Sequence, residues 1–514
     1  MKRAGGAAFS GLMLLAAVSA AGTSPLYAAP AYAALPVADA YDDLAADFAK
    51  VDADVQAGRF QEALKRIDRI LKGKLAKEPE QRATFLSMRA ILLAGLDRRA
   101  EAEAALTEAE SLDAGAEIVV GTRFNVAVMV QDLDRATTAL RGLATRYPQV
   151  LRTFDSESVL WPVRATYQLK RVSESDRIAL MLVRADYAAD EPDTRNWLNV
   201  AAIRALMAAD ELGPAAAIAL SLGNASSVMA VLTERRYARL WEPVEAQLTP
   251  GLANVHTRAI EAAERVATAS PDSAAARLGL FSAYEGAGRI ADADALGAKV
   301  GATREAMAAL DEQDGWLVNN YAQLLRDRGR GAEAEARFAA MRAIRIEEKP
   351  WLINMIINRL GDVVQAGNWK QALALDTEAG ALAADYGSPY AQQLVRALSL
   401  CARHRGQPGG DIAALLAAVK AKADDAPLAT LDALICLGQL DAAETIWIDA
   451  FQSDQWREQA IERMQPAAAR QPENATVWDE GRDQLRARPA VQAAFAKVGR
   501  VLPERFWYAA KGRD

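Results

Sequence analysis

The chain has 514 residues, of which 51% are hydrophobic and only 6% aromatic, and its formal net charge at pH 7 is −7. This length exceeds what one hydrophobic core organises, so the chain forms either several globular domains or one extended array. Runs of alternating β-branched residues, which strands need, are almost absent, and this favours helices throughout. Basic and acidic residues alternate without forming a basic stripe, which argues against a nucleic-acid partner.

The N-terminus has the pattern of a secretory signal peptide. Lys2 and Arg3 precede an apolar stretch over residues 7–21, and small residues follow. We expect cleavage after Ala33, with Ala28 as the alternative site, and export to the periplasm of a Gram-negative envelope. The apolar stretch is shorter than a membrane span, so we expect no stable membrane insertion after cleavage, although a retained anchor is the alternative interpretation. Cleavage removes two basic residues and no acidic one, so the net charge falls to −9.

A short pattern recurs along the chain: a helix ends, a turn that is often marked by glycine follows, and a second helix has a small residue near its start. The clearest unit begins at Trp316 and turns at Gly329 into a helix with Ala334 and Phe338 one turn apart. Each occurrence predicts a helical hairpin. Six further segments have the same pattern: 58–63, 95–100, 131–136, 288–293, 367–372 and 438–443.

These hairpins resemble the tetratricopeptide repeat (TPR), in which a Gly turn joins two helices and a small residue early in the second lets them pack closely. The resemblance covers roughly residues 40–460 and implies an all-α fold, an α-solenoid in which stacked hairpins form a right-handed superhelix with first helices on its concave face. Successive small residues are separated by slightly more than the usual period of about 34. The separations are 37 for Ala63–Ala100, 36 for Ala100–Ala136, 41 for Ala293–Ala334 and 38 for Ala334–Ala372.

Two longer separations predict less regular hairpins. Ala136 and Ala293 are 157 residues apart, about four periods, and the next such gap is 71 residues, about two periods. In the first gap we expect a turn at Gly213, and in the second a second helix over residues 411–420. About ten or eleven units are expected in total.

The predicted organisation has three parts: a signal peptide over residues 1–33, a TPR-like helical repeat array over residues 34–478 and a C-terminal helical cap over residues 479–514. Two units of the array depart from the pattern. Ala104 and Gly297 stand where the second helix of a hairpin usually has a bulky residue.

The two cysteines, Cys401 and Cys436, lie 35 residues apart, which is about one repeat. We favour two buried free thiols, because equivalent positions in stacked repeats are usually too far apart for a disulfide. The alternative is that the two cysteines pair in the oxidising compartment to which the chain is exported.

The sequence contains no recognisable catalytic or metal-binding motif. His256 and His404 are the only histidines, and neither has a second ligand at metal spacing. We therefore expect no metal, no cofactor and no enzyme activity.

The alternative function is an envelope enzyme or a polysaccharide- or murein-handling protein. An exported superhelix is similar to that of periplasmic lytic transglycosylases, whose lysozyme-like domain uses a catalytic Glu followed by Ser. Glu157-Ser158 and Glu174-Ser175 have this dipeptide, but no lysozyme-like domain surrounds them.

The first helices of the well-formed units supply candidate binding residues. Asn320 and Asn358 are 38 residues apart, the same spacing as the small residues of their hairpins. With Arg326, Asn354 and Arg359 they form a predicted polar ladder for a peptide carboxylate or backbone, although a structural role for the asparagines is the alternative. The leading hypothesis is an exported, non-catalytic scaffold or adaptor that binds a protein or peptide partner.

Overall fold

The computed structural model describes residues 38–507 except for 189–191, 347, 350 and 467–475. The predicted signal peptide lies outside the described residues. The described part of the chain forms 28 α-helices joined by turns and short 3-10 helices, and it contains no strand apart from one isolated bridge between Glu234 and Gly499. None of these helices is both long enough and apolar enough to cross a membrane.

The chain divides into two compact units, residues 1–189 and residues 190–514. The described helices of unit 1 are α1 (Ala38–Gln56), α2 (Phe60–Ile70), α3 (Pro79–Gly95), α4 (Arg99–Asp113), α5 (Glu117–Met129), α6 (Leu133–Arg146), α7 (Pro148–Leu151), α8 (Ser156–Gln168) and α9 (Val172–Arg184). Those of unit 2 are α10 (Pro192–Ala208), α11 (Leu212–Ser221), α12 (Ala225–Thr233), α13 (Ala238–Glu245), α14 (Ala253–Ala269), α15 (Ala274–Gly286), α16 (Ile290–Gly297), α17 (Arg304–Ala309), α18 (Glu312–Asp327), α19 (Gly331–Arg342), α20 (Leu352–Gln365), α21 (Trp369–Tyr386), α22 (Pro389–Gly406), α23 (Ala413–Ala421), α24 (Pro427–Cys436), α25 (Leu440–Gln452), α26 (Arg457–Glu462), α27 (Asp479–Arg486) and α28 (Pro489–Val498).

In the described ranges, nine helix pairs are joined by the same three-residue turn. The middle residue of each turn is left-handed, with φ between 56° and 73°. At Gly329, for example, its own amide donates to the carbonyl of Arg326 (2.9 Å), and the amide of Arg330 donates to that of Leu325 (2.8 Å). These bonds satisfy the last carbonyls of the first helix and end it. The nine middle residues are Gly58, Asp97, Gln131, Lys170, Asp210, Gly288, Gly329, Gly367 and Gly438.

Each second helix places a small residue five positions after the left-handed one. All nine of these residues are at most 2% exposed, because the two helices of the hairpin meet there. They are Ala63, Ala102, Ala136, Ser175, Ala215, Ala293, Ala334, Ala372 and Ala443. Neighbouring hairpins pack on one another within each unit, and the predicted all-α fold of stacked helical hairpins is confirmed.

The predicted alignment of the second hairpin was wrong by two residues. Gly95 still belongs to α3, and Asp97 is the left-handed residue. Aspartate tolerates this conformation, so the turn does not need glycine. The packed small residue is therefore Ala102, whereas Ala100 and Ala104 are exposed, and the bulky position is filled by buried Leu106.

The predicted turn at Gly213 was also wrong. Gly213 and Pro214 lie in the first turn of α11, where proline is tolerated because its missing amide has no partner in that turn. The turn lies three residues earlier, with Asp210 left-handed. The second helix predicted over residues 411–420 is confirmed as α23.

Close packing explains why position 297 is a glycine. A Cβ atom on this residue would lie 2.5 Å from the ring of Tyr321, which reaches it from α18. The tyrosine is 2% exposed, and its hydroxyl donates to Asp294 (2.8 Å). The ring of Tyr321, from the first helix of the next hairpin, thus fills the space that a bulky residue of the second helix usually occupies.

The prediction of two free thiols was wrong, because Cys401 and Cys436 form a disulfide. Helices α22 and α24 pack directly on each other, and the two Cα atoms are 5.7 Å apart, within the range of disulfides. Both cysteines are 1% exposed, so the bond is buried between two first helices.

The C-terminal end of unit 2 packs against the early helices of the same unit. The amide of Arg500 donates to the carbonyl of Thr233 (2.8 Å), and its guanidinium lies 3.7 Å from the ring centroid of Trp241. Arg500 and Arg505 both pair with Glu245. The described segment that contains Arg500 and Arg505 therefore packs against α12 and α13.

Replacing an exposed lysine with glycine should stabilise the protein where the lysine is left-handed and destabilise it where the lysine is helical. Lys170→Gly should stabilise unit 1 by about 0.5–1 kcal/mol, because the native residue has φ 60°. The matched control, Lys65→Gly in the exposed face of α2, should destabilise it by about 1 kcal/mol. Urea unfolding followed by circular dichroism measures both, and the same sign for the two variants would contradict the role of the turn.

Loss of the disulfide should cost unit 2 about 4 kcal/mol, because the bond closes a loop of 35 residues in the unfolded chain. We expect the double variant Cys401→Ala/Cys436→Ala to unfold at lower urea concentration than the oxidised protein. Dithiothreitol should lower the unfolding midpoint of the wild type and leave that of the variant unchanged. A variant as stable as the oxidised wild type would show that the bond contributes nothing.

Candidate functional site

One face of four successive first helices lines a half-open cavity of about 200 Å3 in unit 2. The helices are α18, α20, α22 and α24. The lining residues of the last three recur at intervals of three and four, as one helical face requires, and α18 contributes Gln323. We call this surface the first-helix groove. Its polar lining residues are Gln323, Asn358, Asp362, Gln365 and Asp432.

Three carboxamide side chains in the groove have no hydrogen-bond partner among the described residues. They belong to Gln323 on α18 and to Asn358 and Gln365 on α20, and all three are half-buried. Each carboxamide offers both a donor and an acceptor. The groove therefore presents a row of unused hydrogen-bonding groups of both kinds.

The two carboxylates of the groove are already neutralised. Asp362 is 8% exposed and forms an ion pair with Arg326 (2.9 Å). Burial raises the pKa of Asp362, and the charge of Arg326 partly offsets this effect. Asp432 accepts hydrogen bonds from Arg463 (2.7 Å) and Arg482 (2.8 Å). A ligand in the groove meets no uncompensated charge from these groups.

The structure brings only some of the five predicted binding residues together. Asn358 lines the groove, and Arg326 supports it through Asp362. Asn320 and Asn358 lie nine residues before the left-handed glycine of their hairpins, so their positions are equivalent, but Asn320 accepts a hydrogen bond from Asn319 (3.3 Å) and does not line the cavity. Asn354, near the start of α20, is half-buried and also lies outside the lining.

Arg359 lies apart from the groove, at a second half-open cavity of about 200 Å3 between α19, α20 and α21. Its guanidinium is 4.9 Å from the ring centroid of Phe338, and it pairs with Glu335. Burial lowers the pKa of Arg359. The other lining residues are mainly apolar and include Met341, Ile346, Leu352, Met355 and Leu375. Arg359 therefore packs and pairs within the protein and does not join the predicted ladder.

Trp478 is a groove residue that the sequence interpretation missed. It lies in the described segment just before α27, far along the chain from the first helices that it contacts, and it is 7% exposed. The neighbouring amide of Val477 donates to the carbonyl of Gln365 (3.3 Å). No repeat pattern places this segment. Gln323 and Gln365 were also missed, although their helical spacing from Asn320 and Asn358 places them on the same helical faces.

The two Glu-Ser dipeptides belong to unit 1, where Glu157 is exposed, Glu174 is half-buried and Ser175 is buried. Glu157 pairs with Arg164 (2.5 Å), and Glu174 pairs with Arg171 (2.6 Å). Ser175 is the small residue of its hairpin and donates to the carbonyl of Val163 (2.9 Å). Neither glutamate lines either of the two cavities. In the part of the chain that the structure describes, no group of three or more His, Cys, Asp or Glu residues is placed to hold a metal ion.

Comparison with known proteins adds little to this geometry. No family model matches the chain, and no curated protein matches it. A chain in a solved structure titled "Structure of Naa15/Naa10 bound to HypK-THB" is similar, with 14% identity, a TM-score of 0.27, and coverage of 82% of this chain and 64% of that one. The chain thus spans less than two thirds of that neighbour's length. So low a TM-score supports no inference about function, and the TPR-like, all-helical class rests on the hairpin packing described above.

The ion pair between Arg326 and Asp362 predicts a pH-dependent cost when the arginine is removed. Arg326→Met should destabilise unit 2 by about 3 kcal/mol at pH 8, because a buried carboxylate would be left unpaired. Without Arg326 the pKa of Asp362 rises further, so the carboxyl is neutral in the folded state at acid pH and the destabilisation shrinks as pH falls. Urea unfolding at pH 5 and pH 8 measures the difference.

The control for this measurement is the double variant Arg326→Met/Asp362→Asn, in which no carboxylate remains to be ionised. Its destabilisation should not depend on pH between 5 and 8. An equal pH dependence in the single and double variants would contradict the assigned pair.

Proposed function

We propose that the chain is an exported, non-catalytic scaffold or adaptor of the TPR type, which binds protein segments in the first-helix groove. The observation that carries the proposal is the row of unpaired carboxamides from Gln323, Asn358 and Gln365 in a half-open groove. A ligand that supplies both donors and acceptors can replace the water that hydrates these half-buried groups.

An extended polypeptide matches this requirement. Each of its peptide units has one amide donor and one carbonyl acceptor, the complement of a carboxamide. The sequence left open a peptide carboxylate or a peptide backbone as the bound group. Arg326, Arg463 and Arg482 are committed to the buried carboxylates Asp362 and Asp432, which favours the backbone.

Two features support the proposed periplasmic location. The N-terminal pattern is that of a signal peptide. The buried disulfide between Cys401 and Cys436 is of a kind that persists in oxidising compartments and is rare in the cytosol.

A variant that fills the groove should abolish partner binding. Ala429 lines the groove on α24, nine residues before the left-handed Gly438 and therefore at the position equivalent to Asn358. We expect the purified wild type to enrich a defined partner from envelope extract and Ala429→Trp to lose at least about 90% of it, because the indole occupies the space of the ligand. Quantitative mass spectrometry of the captured proteins is the measurement.

The matched control is Ala336→Trp, which places the same side chain on the exposed face of the second helix α19. This variant should capture the partner as well as the wild type does. Equal capture by Ala429→Trp would move the binding surface away from the groove. No enrichment by the folded wild type in any extract would contradict the scaffold function itself.

A further inference from the structure

The second cavity, between α19, α20 and α21, is half-open and has a volume of about 200 Å3. It shares no lining residue with the first-helix groove. Protein interiors leave few voids larger than a water molecule, because the atoms that line an empty space lose packing contacts. A cavity of this size that opens to solvent is therefore a candidate ligand site, and we call it the α19–α21 pocket.

The wall of the α19–α21 pocket is mostly aliphatic. Four apolar lining residues are only half-buried and so keep apolar surface in contact with solvent: Ile344, Ile346, Ile356 and Leu382. Four others are at most 5% exposed: Met341, Leu352, Met355 and Leu375. Among the described lining residues Phe338 is the one aromatic, and the guanidinium of Arg359 lies 4.9 Å from its ring centroid. Aliphatic groups and adaptable thioethers favour a hydrocarbon chain over an aromatic ring that needs a stacking partner.

The charged residues of the pocket form ion pairs. Arg342 on α19 bonds to Glu378 on α21, and 51% and 35% of their side chains are exposed, which places the pair at the mouth. Arg359 pairs with Glu335. A charged ligand group at the mouth would lose hydration without gaining an unpaired counter-ion. The mouth therefore favours an uncharged polar group.

The volume of the pocket limits the length of the chain that it can hold. An engineered apolar cavity of about 150 Å3 binds benzene, which has six carbons, so a pocket of about 200 Å3 holds roughly eight carbons. We propose that the α19–α21 pocket binds the aliphatic chain of an uncharged single-chain amphiphile, whose polar group lies beside Arg342 and Glu378. This site is additional to protein binding in the first-helix groove and does not depend on it.

Methionine methyl groups report on the pocket, because Met341 and Met355 both line it. We would label the methionine methyls of the purified protein with 13C and assign these two resonances with Met341→Leu and Met355→Leu. The probe 1-octanol should shift both in a saturable way, with a Kd on the order of 0.1–1 mM. Met88 in the core of unit 1 is an internal control whose resonance should not move. No saturable shift of Met341 or Met355 would overturn the site.

The length of the alcohol tests the volume of the pocket. Each methylene that fits inside should tighten binding about 4-fold, so 1-hexanol should bind about 15-fold more weakly than 1-octanol. The chain of 1-decanol exceeds the pocket, and its two further methylenes should together gain less than about 4-fold. A larger gain would indicate partitioning onto an apolar surface, and equal affinity for hexanol and octanol would show that the chain does not enter the pocket. Either result contradicts the proposal.

Further probes separate the proposed ligand from other sources of an aliphatic group. Octanoate and octylammonium have the same chain with a charged head and should bind at least about 5-fold more weakly than octanol. N-acetyl-L-leucinamide represents a side chain of a protein partner and should not compete with octanol, and phosphatidylcholine vesicles should not cosediment the protein. Equal binding of a charged amphiphile, competition by the leucine amide or cosedimentation would each replace the proposed class of ligand with another.

A variant that fills the pocket should lose the ligand. Ile356→Trp enlarges a lining side chain of α20 and should weaken octanol binding at least about 10-fold. The matched control is Ala374→Trp on the exposed face of α21, which should bind octanol as the wild type does. Unchanged affinity in Ile356→Trp, with the fold intact by circular dichroism, would overturn the site. If this variant does not fold, the alcohol series on the wild type decides.

Discussion

The close contact between the two helices of each hairpin is the constraint on which the rest of the structure depends. A left-handed residue ends the first helix and turns the chain within three residues. Five positions later, a fully buried alanine or serine lets the second helix approach the first. Both requirements are local, so they can be met repeatedly along a chain whose remaining sequence varies widely.

Once the hairpins are closed, the first helices of successive hairpins lie side by side and share surfaces. Between α22 and α24 the approach is close enough for the disulfide of Cys401 and Cys436. The same arrangement places polar side chains of α18 and α20 in one groove, where ion pairs neutralise Asp362 and Asp432 and the carboxamides keep their hydrogen-bonding capacity. The binding face is thus a consequence of hairpin stacking, to which the C-terminal segment adds Trp478.

The all-α class and most hairpins were predictable from the sequence, because the contact between the two helices of a hairpin depends on residues that lie close together along the chain. Turns with glycine, such as those at Gly329 and Gly438, were placed correctly. Those at Asp97, Lys170 and Asp210 were misplaced or overlooked, since none of these turns has a glycine at its left-handed position. Aspartate tolerates that conformation, and tertiary packing holds Lys170 in it.

The candidate site was less predictable than the fold. Asn358 follows from repeat spacing, and Gln323 and Gln365 lie on the same helical faces. Trp478 and the disulfide depend on contacts between segments whose distance in space is not encoded by any periodicity. Arg359 was placed with the ladder because it adjoins Asn358 in sequence, but adjacent helical residues point in different directions, and it faces the second cavity.

Protein binding in the first-helix groove is tested most directly by photo-cross-linking in cells that produce the protein. The cross-linker p-benzoylphenylalanine would replace Gln323 in the groove or, for comparison, Ala336 on the outer face of α19. We expect ultraviolet light to join a defined partner protein to position 323 and not to position 336. Cross-links from position 336 alone, or none from position 323 in the folded, exported protein, would contradict binding in the groove.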